Sequence, residues 1–159
     1  MHLRVIPTEQ RLDVVEGSKT SYSYPVSTAL NGLGELQDSG KTPRGWHQIR
    51  AKIGRGSPIN TVFVGRRPTG EIYSADLDLL YPGRDWILTR ILWLSGLEVG
   101  KNRLGLCDTM RRYIYIHGCP DELPIGKPES HGCIRMRNTN IIELFDIVKY
   151  GTKIYIEDY

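Results

Sequence analysis

The sequence predicts a mostly-β single domain with one packed C-terminal helix. Three observations carry that expectation. Short runs rich in β-branched and aromatic residues recur through most of the chain, separated by turn formers. Only one long stretch, near the C-terminus, carries apolar residues at helical spacing. The 159 residues are enough for one sizeable core and too few for two comfortable ones.

Taken in order, Leu3 to Ile6 and Leu12 to Val15 read as strands, joined by the polar turn Pro7-Thr8-Glu9-Gln10. Ser21 to Val26 alternates aromatic and small polar residues, as a half-buried strand does, and Pro25 places it at an edge or an end. The three together make a meander. Asn31 to Gly45 is a long loop dense in turn formers, a kind that is usually functional or mobile. His47 to Ile53 and Thr61 to Val64 read as strands, and Arg67 to Gly70 as a turn. Trp86 to Leu94 is the most apolar run. Periodicity does not separate buried strand from short helix there, but its β-branched and aromatic content favours strand. Arg111 to Ile116 is a further strand. The helix is predicted over Ile141 to Val148, with cap candidates in Asn138-Thr139-Asn140 and a stop at Gly151. Lys153 to Ile156 closes the chain as a strand. The sequence has no linker, repeat array or low-complexity tract.

Composition is that of an ordinary globular protein, 40% hydrophobic and 25% charged. The net charge of +3 comes without a Lys/Arg block or an aromatic-basic stripe, which argues against nucleic acid as a partner. No window approaches the length of a membrane span. Met1 to Pro7 has no signal-peptide character, so a native start at Met1 implies a cytoplasmic protein. A longer native N-terminus would instead allow a periplasmic one. The three cysteines, Cys107, Cys119 and Cys133, cannot all pair within one chain.

Chemistry concentrates in Ser130-His131-Gly132-Cys133-Ile134-Arg135-Met136, together with His117-Gly118 at the end of an apolar strand. A thiolate is a strong nucleophile, and a histidine within reach lowers a thiol's pKa from its usual value and later protonates a leaving amine. His117 is the expected base for Cys133, with a backbone carbonyl of the His117-Gly118 turn orienting its second ring nitrogen. The Gly132 and Cys133 amides are expected to face a developing oxyanion. Arg135 lies two residues beyond Cys133, hence on the same face of a strand, where a guanidinium can grip a substrate carboxylate. His131 is adjacent to the nucleophile's turn and reads as shaping the site rather than as its base, and it and Ser130 are expected among the substrate-binding residues with Gly132 and Arg135.

The bland alternative for Cys133 is a buried structural thiol. The sharper rival is a zinc site from the repeated His-x-Cys pairs His117/Cys119 and His131/Cys133, although one-residue spacing is tight for two ligands on one metal. A third possibility, an oxidative Cys119–Cys133 pair that silences the site, requires the two thiols to be neighbours.

These residues resemble the L,D-transpeptidase catalytic domain of the YkuD type. His117-Gly118 after an apolar strand and Ser130-His131-Gly132-Cys133-Ile134-Arg135 carry the resemblance. Weaker matches are Thr42-Pro43-Arg44-Gly45 and Tyr24-Pro25-Val26-Ser27-Thr28. The resemblance implies a β-sandwich-like fold, Cys133 as nucleophile, His117 as its base and Gly118 as the residue whose carbonyl orients that base. It implies a peptidoglycan-derived tetrapeptide or muropeptide as substrate, attacked between its third residue and the terminal D-Ala through a thioester, without metal or organic cofactor. Cys119 departs from the Thr that similar sequences often carry. From the expected cytoplasmic location, hydrolysis of tetrapeptide to tripeptide in muropeptide recycling is the expected outcome. The alternative is transpeptidation to 3–3 cross-links or D-amino-acid exchange. A more distant alternative is a non-catalytic wall-binding module.

Overall fold

The computed structural model describes residues 1–159. Ten strands follow in chain order: β1 (His2–Ile6), β2 (Arg11–Glu16), β3 (Lys19–Ser27), β4 (Gly45–Ile53), β5 (Thr61–Val64), β6 (Arg67–Ile72), β7 (Ile87–Gly96), β8 (Tyr115–Gly118), β9 (Ile134–Met136) and β10 (Lys153–Ile156). Two helices accompany them, α1 (Ala75–Leu80) and α2 (Asn138–Ile147). The strands form one sheet in the order β4-β10-β1-β2-β3-β9-β8-β7-β5-β6. β4 also pairs with β7, so eight strands close on themselves and β5-β6 hangs outside as a hairpin. The expected meander is present as antiparallel β1-β2-β3.

Strand alternation decides what fills the ring. Leu3 and Val5 of β1, Leu12 and Val14 of β2, and Leu92 and Leu94 of β7 point inward at period two. They meet Ile116, Ile134, Met136, Ile154 and Ile156 from the remaining strands. The stripe of α2, through Ile141, Leu144 and Phe145, completes this core. Each such side chain, fully buried, is worth about 1.5–3 kcal/mol. β7 is mostly apolar and buried along nearly its whole length because it is covered on both faces. Leu92 and Leu94 face the core, while Ile91 packs outside with Phe63 and Tyr115.

The structure corrects four expectations. Arg67–Gly70 is not a turn but the start of β6. The turn lies one step earlier, at Gly65-Arg66, where both residues have positive φ, +56° and +64°. The chain from 111 to 113 is a turn, and β8 begins only at Tyr115, because Asp108 accepts from the Leu104 and Arg111 amides and curls the backbone there. α1 was not foreseen: it buries no residue fully and is held by its Ser74 cap, whose Oγ accepts from the Leu77 amide, by Leu77 against Val62, Trp86 and Leu88, and by Asp78, which accepts from the Trp86 indole at 2.8 Å. None of the residues 138–140 caps α2 with its side chain; Arg137 holds the cap position without a side-chain bond.

Candidate active site

Two central strands build the site. β8 and β9 run parallel, with Ile116 opposite Ile134 and His117 opposite Arg135. Ile116, Ile134 and Met136 enter the core. By the same alternation Tyr115, His117, Cys133 and Arg135 share the outer face. There they line one cavity of about 500 Å³, which also receives Arg66 and Asp85. This size lies within the range of small-ligand sites.

His117 is 1% exposed. Its Nδ1 lies 2.6 Å from the Gly118 carbonyl oxygen. A carbonyl only accepts, so Nδ1 carries the proton and Nε2 keeps a free lone pair. Burial holds the imidazole below its usual pKa of 6.5, so it is neutral near pH 7. Gly118 has a packing reason to lack a side chain. A Cβ there would stand 2.7 Å from the Leu88 carbonyl oxygen and overlap Asn138 Oδ1.

Asn138 is a buried hub behind this strand. Its Nδ2 donates to the Cys119 carbonyl at 2.8 Å and to Asp121 Oδ1 at 3.2 Å, and its Oδ1 accepts from Thr89 Oγ1 at 2.6 Å. Thr89 has φ +75° in a β-bulge of β7, where the register with β8 shifts between Leu88 and Ile91. The bulge brings the hydroxyl to Asn138.

Cys133 is half-buried. Its Sγ accepts from the Tyr115 amide at 3.3 Å and donates to the Tyr113 carbonyl at 3.4 Å. Burial pushes its pKa up to about 12, with Asp85 adding to the rise and Arg135 and Arg112 opposing it. The expected depression of the thiol pKa by a neighbouring histidine is therefore corrected: at rest the Cys133 thiol and the His117 imidazole are each neutral, and Sγ bonds Tyr115 and Tyr113 rather than His117.

The turn before Cys133 also differs from expectation. Ser130 is 2% exposed, and its Oγ donates to the Cys133 carbonyl at 2.5 Å and accepts from the Gly132 amide at 3.2 Å. Neither Ser130 Oγ nor the Gly132 amide is left to meet a substrate; both hold the turn. The Cys133 amide donates to no protein group. The Thr-Pro-Arg-Gly segment supports the turn from outside. Buried Thr42 donates through Oγ1 to the Gly132 carbonyl at 2.9 Å and accepts from the Ala29 amide at 2.9 Å. Arg112 ties the same long loop down by donating to the Lys41 and Gly34 carbonyls. The 31–45 loop is thus a fixed scaffold for the cysteine-bearing turn.

Arg135 lies at the far side of His117, with its guanidinium 3.4 Å from Asp85 Oδ1. The largely exposed His131 lies 3.8 Å from the other oxygen of the same carboxylate. Asp85, His131 and Arg135 form a wall shared with a second cavity of about 470 Å³ that also holds Tyr73, Trp86 and Glu122.

The rival arrangements do not assemble. Cys119 donates its thiol proton to the Met136 carbonyl, while Cys133 lies beside Tyr113 and Tyr115. Four residues of strand separate them along β8, about 13 Å, beyond the Cα reach of a disulfide of about 7 Å. No three His, Cys, Asp or Glu side chains converge as metal ligands, so the two His-x-Cys pairs do not form a tetrahedral set.

Sequence reasoning missed Asp85, Arg66, Tyr113, Tyr115, Arg112 and Asn138. For Arg66 the Gly65-Arg66 turn was a usable signal; the others arrive through the fold.

The comparisons agree with this architecture. The chain is 46% identical over 46 residues to Bacillus subtilis YkuD, 29% of this chain and 28% of that protein. It is 32% identical over 111 residues to Escherichia coli K12 YbiS, 67% of this chain and 35% of that protein. Both bear the name L,D-transpeptidase. Among solved structures, an L,D-transpeptidase from Mycobacterium smegmatis superposes with a TM-score of 0.56 at 18% identity, covering 98% of this chain and 57% of that one. The chain thus spans a little over half of that structure and about a third or less of those two relatives. The family model for the YkuD L,D-transpeptidase catalytic domain matches residues 1–156, and the chain belongs to that family.

Proposed function

We propose that the chain is a cysteine acyl-transfer enzyme acting on peptidoglycan stem tetrapeptides, at the bond between the third residue and the terminal D-Ala. The observation that carries this reading is the placement of Cys133 and His117 in one cavity, with His117 Nδ1 fixed by the Gly118 carbonyl and Nε2 left free. The Cys133 proton passes to His117 Nε2 as Sγ attacks the scissile carbonyl. The Cys133 amide faces the developing oxyanion. The imidazolium returns the proton to the leaving amine as the C–N bond breaks, which releases D-Ala and leaves a thioester. Arg135 meets the carboxylate of the departing residue, displacing Asp85.

Water then attacks the thioester, giving its proton to Nε2, and the thiol is regenerated. Cys133 is half-buried rather than sealed, so water reaches the acyl group without a second subsite being filled. The product is the tripeptide, and the activity is that of an L,D-carboxypeptidase in muropeptide recycling, in the cytoplasm. A second reading, transfer to an amine, is favoured by the adjoining cavity. Its shared wall at Asp85, His131 and Arg135 can hold an acceptor next to the thioester.

Mass spectrometry of a disaccharide-tetrapeptide incubated with the protein, with and without excess D-Met, tests this. The expected result is tripeptide plus D-Ala, abolished by Cys133→Ala with the fold intact. Exchanged or dimeric products would move the assignment to the transferase. D-Ala release that survives Cys133→Ala would overturn the mechanism.

A further inference from the structure

Arg66 is a cation that the chemistry above does not use. It sits at the tip of the β5-β6 hairpin, in a left-handed conformation that a two-residue hairpin turn requires. A left-handed conformation is unfavourable for a residue with a Cβ, yet the position holds a long charged side chain. That side chain is fixed on three sides. Its guanidinium carbon stands 4.7 Å from the Trp93 ring centre and 5.0 Å from that of Tyr113, and Nη1 donates to Tyr115 Oη at 3.2 Å. Trp93 and Tyr115 hold one another edge to face at 5.8 Å. No carboxylate lies within ion-pair distance of Arg66, although it lines the same cavity as Cys133.

The cavity therefore contains three guanidinium groups with different duties. Arg112 gives its donors to backbone carbonyls of the 31–45 loop. Arg135 faces Asp85. Arg66 spends one donor on a phenol and keeps the rest. Along the ladder Arg66 joins Tyr115, the residue level with Cys133, whereas Arg135 lies level with His117, two residues farther on. A peptide whose departing end rests on Arg135 must run past Cys133 toward Arg66.

We propose that Arg66 binds a second anionic group on the acyl donor, a free carboxylate on the N-terminal side of the attacked bond. This rests on the peptide reading above and refines it. In a stem peptide the γ-linked glutamate before the third residue offers such a carboxylate. The enzyme therefore selects donors in which that group is free over those in which it is amidated. A guanidinium held in place by three aromatic rings suits this task, because a charge-assisted forked bond is lost outright when its oxygen is replaced by an amide nitrogen.

The test compares L-Ala-γ-D-Glu-L-Lys-D-Ala with the same peptide carrying an α-carboxamide at its second residue. Calorimetric binding to the Cys133→Ala protein is measured first, so the readout does not depend on turnover. The free acid is expected to bind about 10-fold or more tightly than the amide, the scale of one hydrogen bond to a charged group. Arg66→Gln should weaken the acid by that factor and leave the amide unchanged, and Arg66→Lys should recover part of the difference. Equal binding of the two peptides to the Arg66 protein would overturn the proposal without any variant. So would an Arg66→Gln protein that loses both peptides equally, or a protein that binds neither. D-Ala release by the unsubstituted protein is read separately. Its absence from both peptides, with acid-selective binding intact, would overturn the acyl-transfer reading and not the role of Arg66.

Discussion

The neutral resting pair makes a quantitative prediction about alkylation. Cys133 carries a thiol pKa of about 12, against an ordinary value of 9.0. At pH 7.5 that lowers the thiolate fraction about 1,000-fold relative to an unperturbed thiol. A more basic thiolate is also a better nucleophile. With a Brønsted coefficient of about 0.4–0.5, taken from thiol–disulfide exchange, three pKa units return roughly 15- to 30-fold. Iodoacetamide should therefore modify Cys133 in the folded protein about 30- to 60-fold more slowly than in the denatured chain. The rate should climb close to tenfold per pH unit through pH 10. Time-resolved peptide mass spectrometry at pH 6.5, 7.5, 8.5 and 9.5 follows the residue directly. Turnover should behave differently, because it needs a neutral imidazole rather than a free thiolate. His117 is held below 6.5, so D-Ala release should rise through an acidic limb below that value and stay level toward pH 9. Alkylation of the resting protein as fast as the denatured chain, with an inflection below pH 7, would refute the neutral pair and restore a thiolate–imidazolium pair.

Two further outcomes follow from buried groups near the site. Gly118→Ala forces a Cβ against the Leu88 carbonyl and Asn138, and overpacking of this kind costs about 1–3 kcal/mol. Thermal denaturation should show a Tm lower by about 5 °C, and D-Ala release should fall further than the folded fraction does, because the Gly118 carbonyl moves off His117 Nδ1; unchanged values for both would refute the close approach. His47 is fully buried, with Nδ1 on the Gly45 carbonyl and Nε2 on Thr109 Oγ1, and burial lowers its pKa from 6.5 to about 4. Between those values the unfolded chain binds a proton that the folded one refuses, so stability falls as pH drops. The loss should be about 3 kcal/mol in denaturant titrations between pH 7 and 4, and should shrink in His47→Gln.

How much of this was legible depends on the range of the signal. β5 and β10 match their predicted bounds because each is a short β-branched or aromatic run between turn formers, and that pattern is written locally. β6 was hidden because Pro68, Thr69 and Gly70 carry turn composition. It tolerates them as an edge strand bonded on one side only, to β5. α1 is six residues long and packs only Leu77 against the fold, too little to leave a stripe to detect; its marker was the Ser74 cap with acidic residues in the first turn. The shared face of Cys133 and Arg135 follows from strand parity alone. Asp85 and Arg66 enter through contacts about fifty positions apart in sequence, with Arg135 and Tyr115, and no local pattern encodes such a pairing.

Asn138 shows the two kinds of information in conflict. By residue type and position it reads as a helix cap, and a side-chain cap is worth about 1 kcal/mol. The structure gives up that cap. Arg137 stands in the position without a side-chain bond, and the Asn138 amide turns inward to Thr89, Asn60, Cys119 and Asp121. Leaving a buried hydroxyl or carbonyl without a partner costs about 1–3 kcal/mol each. One amide that serves several such groups therefore outweighs the cap it does not make. What it stabilises is the junction of the β7 bulge, the end of β8 and the first turn of α2, against which Gly118 and its carbonyl are set. The helix begins where it does because the strand that carries His117 requires that amide.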